Sequence, residues 1–270
     1  MKSLKASGLK ERLDQVLLDF NHKDYLKTDP IQIPHRYSDI RDREFAALFT
    51  SLFCFGNVTS IVKTVSQVLE PLGDSPTAKL ISLKDSEISN IVGKAKYRFF
   101  VDQDIEFLFR RLRDLYRKSP SGLSALLEKS KSPMDTLIRL RSLLRHASPN
   151  TNGIRFMFPD PEAGVAKRFH MLLRWMVRRD EIDFGIWNFL SPADLSIPLD
   201  VHLFDICSGL GMTKLKSPSL KAMMEVTNAL LNLDPKDPIK YDFALCRVGI
   251  LGLKQEFLGL NSPLPHELRC

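Results

Sequence analysis

The chain has 270 residues, of which 44% are apolar and 26% charged, so it can bury a full core as one domain or as two intimate lobes but is too short for a large assembly of modules. Its 39 basic residues against 32 acidic ones leave a net charge of +7 and a pI of about 9.2, a balance that favours anionic partners such as nucleic acid. No window approaches the roughly 20 apolar residues of a membrane helix, and residues 1–10 hold no apolar signal segment, so a cytoplasmic protein with no membrane partner is expected.

Helix follows helix along the chain. Residues 9–20 place Leu9, Leu13, Val16, Leu17 and Phe20 at helical spacing, and 42–53 repeat the pattern with Phe45, Leu48, Phe49 and Leu52. Between them, the segment Asp29-Pro30-Ile31-Gln32-Ile33-Pro34-His35-Arg36-Tyr37-Ser38-Asp39 carries two prolines and many polar groups; it predicts an ordered loop ending in a Ser38 or Asp39 helix cap. Helices are predicted over 61–69, 85–92, 101–116, 123–129 and 134–146, then over 163–179, 184–190, 201–208, 220–231 and 240–253, with Gly209 as the C-cap of the helix at 201–208. Gly and Pro mark the joints, as at Glu70-Pro71-Leu72-Gly73 and Ser119-Pro120-Ser121-Gly122, and no stretch alternates long enough to demand a sheet. The fold class expected is all-α, without repeats or a long linker.

Cysteines 54, 207, 246 and 270 are scattered without a Cys-x-x-Cys pair or metal-ligand spacing, so buried free thiols are expected, with no metal and no cofactor.

Chemistry concentrates in two places. In Ile197-Pro198-Leu199-Asp200-Val201-His202-Leu203-Phe204, an Asp follows a Pro at the start of an apolar helix, where it accepts from free first-turn N–H groups and is kept ionised by the helix dipole. A cap of this kind is commonplace, and by itself it carries no function. Thirty-three positions earlier, Lys167 opens a helix whose apolar stripe is Val165, Phe169, Leu172, Leu173 and Met176. Arg168, Arg174, Arg178 and Arg179 surround it in sequence. That cluster reads either as a solvated basic face or as a surface that binds phosphates and depresses the lysine pKa.

A Lys followed by Pro-hydrophobic-Asp-Val-His resembles the active-site core of the helix-hairpin-helix DNA glycosylases, most closely those that excise 8-oxoguanine and, by the spacing, their archaeal type. The likeness covers roughly residues 38–252. It implies two helical lobes with a cleft between them: a six-helix barrel over 40–190, and a second lobe from 1–39 plus 191–270, joined in a single catalytic unit. It implies base-excision repair of double-stranded DNA by a monomer, with a damaged base flipped into the cleft and an oxidised purine removed through a lysine Schiff base that also permits strand cleavage. Lys167 would be the nucleophile, and Asp200 the carboxylate that stabilises the positive sugar. His202 would contact phosphate, and Asn57, after Gly56, would reach into the duplex. Arg168, Arg174 and Arg178 would bind the strand. Asp242 would accept from a guanine edge, with Tyr241 or Phe243 stacking on its face. Lys94-Ala95-Lys96-Tyr97 resembles a family helix start.

The chain also departs from the family. Where members carry Leu-Pro-Gly-x-Gly it has Phe158-Pro159-Asp160-Pro161-Glu162-Ala163-Gly164, and two acidic residues weaken phosphate binding there. It lacks the four-cysteine pattern of an iron–sulfur cluster. The Pro34-to-Asp39 loop looks like the signature of an uncharacterised bacterial family. A second reading is therefore a helix-hairpin-helix relative that binds nucleic acid with altered or no catalysis and uses His35, Arg36, Tyr37 and Asp39. A third is a helical scaffold with no nucleic-acid partner.

Overall fold

A computed structural model of the chain describes residues 6–259, which form helices and turns with no strand. The α-helices, in order, are α1 (Ala6–Phe20), α2 (Ile40–Phe53), α3 (Val58–Leu69), α4 (Pro76–Ser82), α5 (Asp85–Val92), α6 (Asp102–Lys118), α7 (Ser124–Leu127), α8 (Pro133–Arg145), α9 (Asn152–Met157), α10 (Lys167–Val177), α11 (Val201–Gly209), α12 (Leu220–Leu231), α13 (Asp242–Ile250) and α14 (Lys254–Phe257). The protein is all-α, as the periodicity requires. Cys270 lies outside the described residues.

Helix α2 is the central element. Asp39 caps it by accepting from the Arg41 and Asp42 N–H groups at 2.9 and 3.1 Å, and Phe45, Leu48, Phe49, Leu52 and Phe53 are fully buried. It packs against α3, α4 and α10. Its buried Glu44 is a structural acid, with Oε1 accepting from Trp187 Nε1 at 2.7 Å and Oε2 from the Leu123 N–H at 2.7 Å. Ser124 N–H and the Tyr116 hydroxyl complete the shell, so the carboxylate satisfies the demand that buried polar groups be paired. Helices α4, α5 and α8 pack on α6.

The first described helix and the last ones meet in a second group. Helix α13 packs against α1, α11 and α14, and Tyr241, just before α13, donates to Asp14 Oδ1 of α1 at 2.6 Å. One continuous apolar core joins both groups.

Several predicted boundaries move. Residues 184–190 are not helical: the backbone from 178 onward turns back along the end of α10, with Phe184 N–H donating to the Trp175 carbonyl at 2.8 Å and Trp187 N–H to that of Met176 at 2.7 Å. Gly185, at φ +60°, breaks the helical pattern, and a Cβ there would sit 2.6 Å from that of Arg179. Helix α10 begins only at Lys167, leaving 158–166 as a loop, and α13 is shorter than the predicted 240–253. Lys94 to Tyr97 lie in the turns before α6, not at a helix start. Gly209 ends α11 inside the helix, and Gly211 supplies the left-handed turn at φ +80°. Helices α4 and α9 had no clear periodic signal because each is about two turns or fewer.

Candidate functional site

Four helix N-termini converge on one pocket of about 490 Å³, in the size range of ligand sites. Val58 at the start of α3, Lys167 of α10, Val201 of α11 and Asp242 of α13 all line it. Unpaired N–H groups and dipoles at helix starts favour negative charge.

Lys167 and Asp200 meet in this pocket. Lys167 is the first residue of α10, preceded by Ala166 in the left-handed region at φ 42° and ψ 41°, a costly conformation for a residue with a Cβ. Asp200 caps α11, its Oδ1 accepting from the Leu203 N–H at 2.9 Å. Its Oδ2 is 3.1 Å from Lys167 Nζ. The two side chains are 31% and 28% exposed, open enough to meet a ligand. Burial acts against both charges, and their mutual attraction outweighs it. Asp200 is held below the usual carboxylate range, with the Leu203 N–H assisting, and Lys167 is pushed up to about 12.

That last shift corrects the sequence expectation of a depressed lysine. Three of the four arginines that were to depress it, Arg168, Arg174 and Arg178, face inward and are neutralised or capped by oxygen, while Arg179 is exposed. Arg168 is buried between the rings of Phe55 and Phe156, its carbon 5.0 and 4.7 Å from their centroids, and donates to the Leu52 and Phe156 carbonyls. Burial lowers its pKa to about 10. Arg174 binds Asp183 at 3.2 Å and Asp242. Arg178 binds the same Asp183, Asp180 at 3.1 Å and Asp237 at 2.9 Å. With exposures of 7%, 3% and 4%, Arg168, Arg174 and Arg178 form no phosphate-binding face. Arg174 and Arg178 belong to an alternating chain of charges running from Asp242 at the pocket through Asp183 to Asp180 and Asp237. Sequence periodicity cannot tell such a chain from a solvated stripe.

The base-recognition residues divide. Asp242 lines the pocket, with Oδ2 on Arg174 and, among the described residues, Oδ1 facing only the Cys246 thiol at 4.0 Å. Burial raises its carboxyl against the pull of Arg174. Tyr241 and Phe243 are a correction: both are buried and neither lines the pocket. Tyr241 is tied to Asp14, and Phe243 packs under Arg247, whose guanidinium carbon is 4.5 Å from its centroid. His202 is exposed at the pocket rim. Exposed Asn57 lies between the lining residues Gly56 and Val58, and its side chain caps α3 by accepting from Ser60 N–H at 3.2 Å.

Residues the sequence did not single out complete the walls. Arg247, 2% exposed, donates to Asp29 Oδ2 at 2.7 Å and Thr28 Oγ1 at 2.9 Å, closing the floor between α13 and the N-terminal segment. A lone arginine inside the apolar run Phe243 to Ile250 was its available signal. Cys54, Met171, Cys246 and Pro198 add apolar wall. Cys54 and Cys207 are buried free thiols and Cys246 is half-buried. No group of three or more His, Cys, Asp or Glu side chains suited to a metal forms among the described residues, and no helix among them is long and apolar enough to cross a membrane.

The Pro34-to-Asp39 loop ties elements together. His35 Nε2 bonds the Ile182 carbonyl at 2.8 Å, Arg36 donates to Ser66 Oγ of α3 at 2.8 Å, and Arg43 donates to the Tyr37 carbonyl at 2.7 Å. With Asp39 capping α2, its polar groups act as internal braces. In the loop before α10, Asp160 pairs with Arg141 at 3.3 Å, which offsets one of the two acidic charges there.

An all-α protein with a half-open Lys–Asp pair at the meeting of helix N-termini is the class defined by fold and site. A model of the family described as "Protein of unknown function (DUF2400)" matches residues 29–251, and the chain belongs to that family. No curated protein and no solved structure matches it significantly.

Proposed function

We propose that the protein is a DNA base-excision glycosylase with abasic-site lyase activity, of helix-hairpin-helix type, acting on an oxidised purine such as 8-oxoguanine. The observation that carries this reading is the 3.1 Å contact of Lys167 Nζ with Asp200 Oδ2 inside a pocket ringed by helix N-termini. Residues 33 apart in sequence supply, side by side, a nucleophile and an anion. Breakage of the glycosidic bond leaves positive charge on the sugar, which the depressed-pKa Asp200 carboxylate stabilises. The base departs with the bonding electron pair and takes up the proton that Lys167 releases. The freed Nζ lone pair then bonds the sugar carbon, and ring opening gives the imine. Asp242 Oδ1, whose contact among the described residues is the Cys246 thiol at 4.0 Å, would accept from the base edge. The phosphates on either side meet the helix N-termini and His202.

The experiment is borohydride trapping on duplexes bearing 8-oxoguanine, other oxidised or alkylated bases, uracil, or an abasic site. A covalent adduct with wild-type protein, lost in Lys167→Gln, is expected. Undiminished trapping in that variant removes Lys167 from the mechanism. The closed ion pair and the acidic loop before α10 favour a second reading, a nucleic-acid-binding relative without catalysis. Binding without trapping on any substrate selects it.

A further inference from the structure

Beside the pocket mouth lies an aromatic cluster that the lysine chemistry does not use. Phe55 follows α2, Phe99 sits in the turn before α6, and Phe156 belongs to α9. Phe156 lies 4.8 Å, centroid to centroid, from each of the other two rings, and Phe55 and Phe99 are within 13° of parallel at 6.2 Å. Phe99 is 56% and Phe156 39% exposed. Grouped rings left in water mark an interaction site.

The turn that presents them is held under strain. Tyr97 and Phe100 exchange backbone hydrogen bonds at 3.0 and 2.8 Å, which forces Arg98 into the left-handed region at φ 52°. The Tyr97 hydroxyl fixes the turn by donating to the Phe55 carbonyl. Strain of this sort, over-determined by its surroundings, is found where position matters. It sets the Arg98 guanidinium 5.8 Å from the centroids of both Phe55 and Phe99. A Cβ added to Gly56 would stand 3.0 Å from Arg98 Nη1, so the guanidinium also overlies a residue of the pocket rim. Lys94, Lys96 and Arg155 are exposed in the same segments, where Asp102 is the acidic counterweight.

We propose that Phe99, Phe156 and Arg98 form a stacking site for an unpaired base of a DNA strand whose neighbouring nucleotide enters the Lys167–Asp200 pocket. It rests on the nucleic-acid reading of that pocket. Bases offer π faces joined by phosphates, which matches exposed rings interleaved with cations. In an intact duplex each base face is covered by its neighbours. The platform is therefore open only to unpaired DNA, and the protein prefers single-stranded or locally unpaired sites to fully paired ones.

The test is fluorescence anisotropy with a labelled single strand and its fully paired duplex, both free of lesions, so that no lysine chemistry enters. Wild type should bind the single strand more tightly. Phe99→Ala and Phe156→Ala should each weaken that binding about tenfold while leaving duplex affinity within about twofold. A thermal melt by circular dichroism checks folding, and Phe99→Trp provides a variant that keeps a ring: its fluorescence should be quenched by the single strand. Unchanged single-strand affinity in the double alanine variant, equal loss on duplex, or no quenching in Phe99→Trp overturns the proposal. Concentration-dependent dimerisation abolished by Phe99→Ala without any effect on DNA would also overturn it and assign the rings to a self-interface. Trapping through Lys167 is scored separately, so intact trapping without single-strand preference sinks the platform alone, and the converse sinks the lysine chemistry alone.

Discussion

Replacing Asp200 by Asn should accelerate one partial reaction at neutral pH and slow another. The substitution keeps an oxygen that can accept from the Leu203 N–H, so the α11 cap survives. What disappears is a unit charge 3.1 Å from Lys167 Nζ. At that distance the attraction is about 1.3 kcal/mol at a dielectric of ~80 and about 5 kcal/mol at ~20. The pair, 31% and 28% exposed, lies between these limits. Since one pH unit corresponds to about 1.36 kcal/mol, the Lys167 pKa should come down from about 12 by at least about one unit. Imine formation needs the neutral amine. Trapping on a preformed abasic duplex, followed from neutral to alkaline pH in single turnover, should therefore rise with pH in wild type and reach its half-maximum at lower pH in Asp200→Asn. Excision of an intact oxidised purine, which needs the carboxylate at the cationic sugar, should fall by roughly a hundredfold or more. Superimposable pH profiles for the two proteins would refute the argument that Asp200 sets the ionisation of Lys167.

Arg174→Met should leave Asp242 and Asp183 short of a buried partner and cost about 3 to 5 kcal/mol in denaturant unfolding; a loss under about 1 kcal/mol would mean that the two aspartates find other partners. Gly153→Ala should destabilise by about 1 to 3 kcal/mol or more, because its Cβ would fall 1.9 Å from Asp104 Oδ2 and 2.9 Å from the Phe99 carbonyl, and an unchanged melting temperature would contradict that packing. Asp242→Asn should lower oxidised-purine excision about tenfold while strand cleavage at an abasic site persists; equal loss of both would confine Asp242 to the ion-pair chain. Buried His170 has no partner on either ring nitrogen among the described residues, and burial pushes its pKa down from 6.5 to about 4. Between those values the unfolded chain binds the proton and the folded one does not, so stability should fall as pH drops through that window. His170→Leu should flatten the slope, and an unaltered pH dependence of the melting temperature would count against it.

The helical character of the chain, a helix cap at Ser38 or Asp39, the capping role of Asp200 and the helix start at Val201 were legible in the sequence, because caps and the helical period act within a few residues. Lys167 and Asp200 were both singled out as catalytic candidates. Their ionisation was not legible, nor was the fate of the cations beside them. Arg168, Arg174 and Arg178 read as a solvated or phosphate-binding basic face and instead turn inward, because Asp180 and Asp183, just past α10, and Asp237 and Asp242, far along the chain, neutralise two of them, while backbone carbonyls receive the third. Residues 184–190 have helical apolar spacing, yet Gly185 and the need to seat Trp187 on Glu44 carry them across α10 as an extended strap. The same holds for the aromatic platform: Phe55, Phe99 and Phe156 lie in three separate segments, and only a strained turn and two cation–ring contacts bring them together. Local hydrogen bonding and periodicity are written in neighbouring residues; the charge and exposure of a side chain depend on which distant groups the packed core delivers to it.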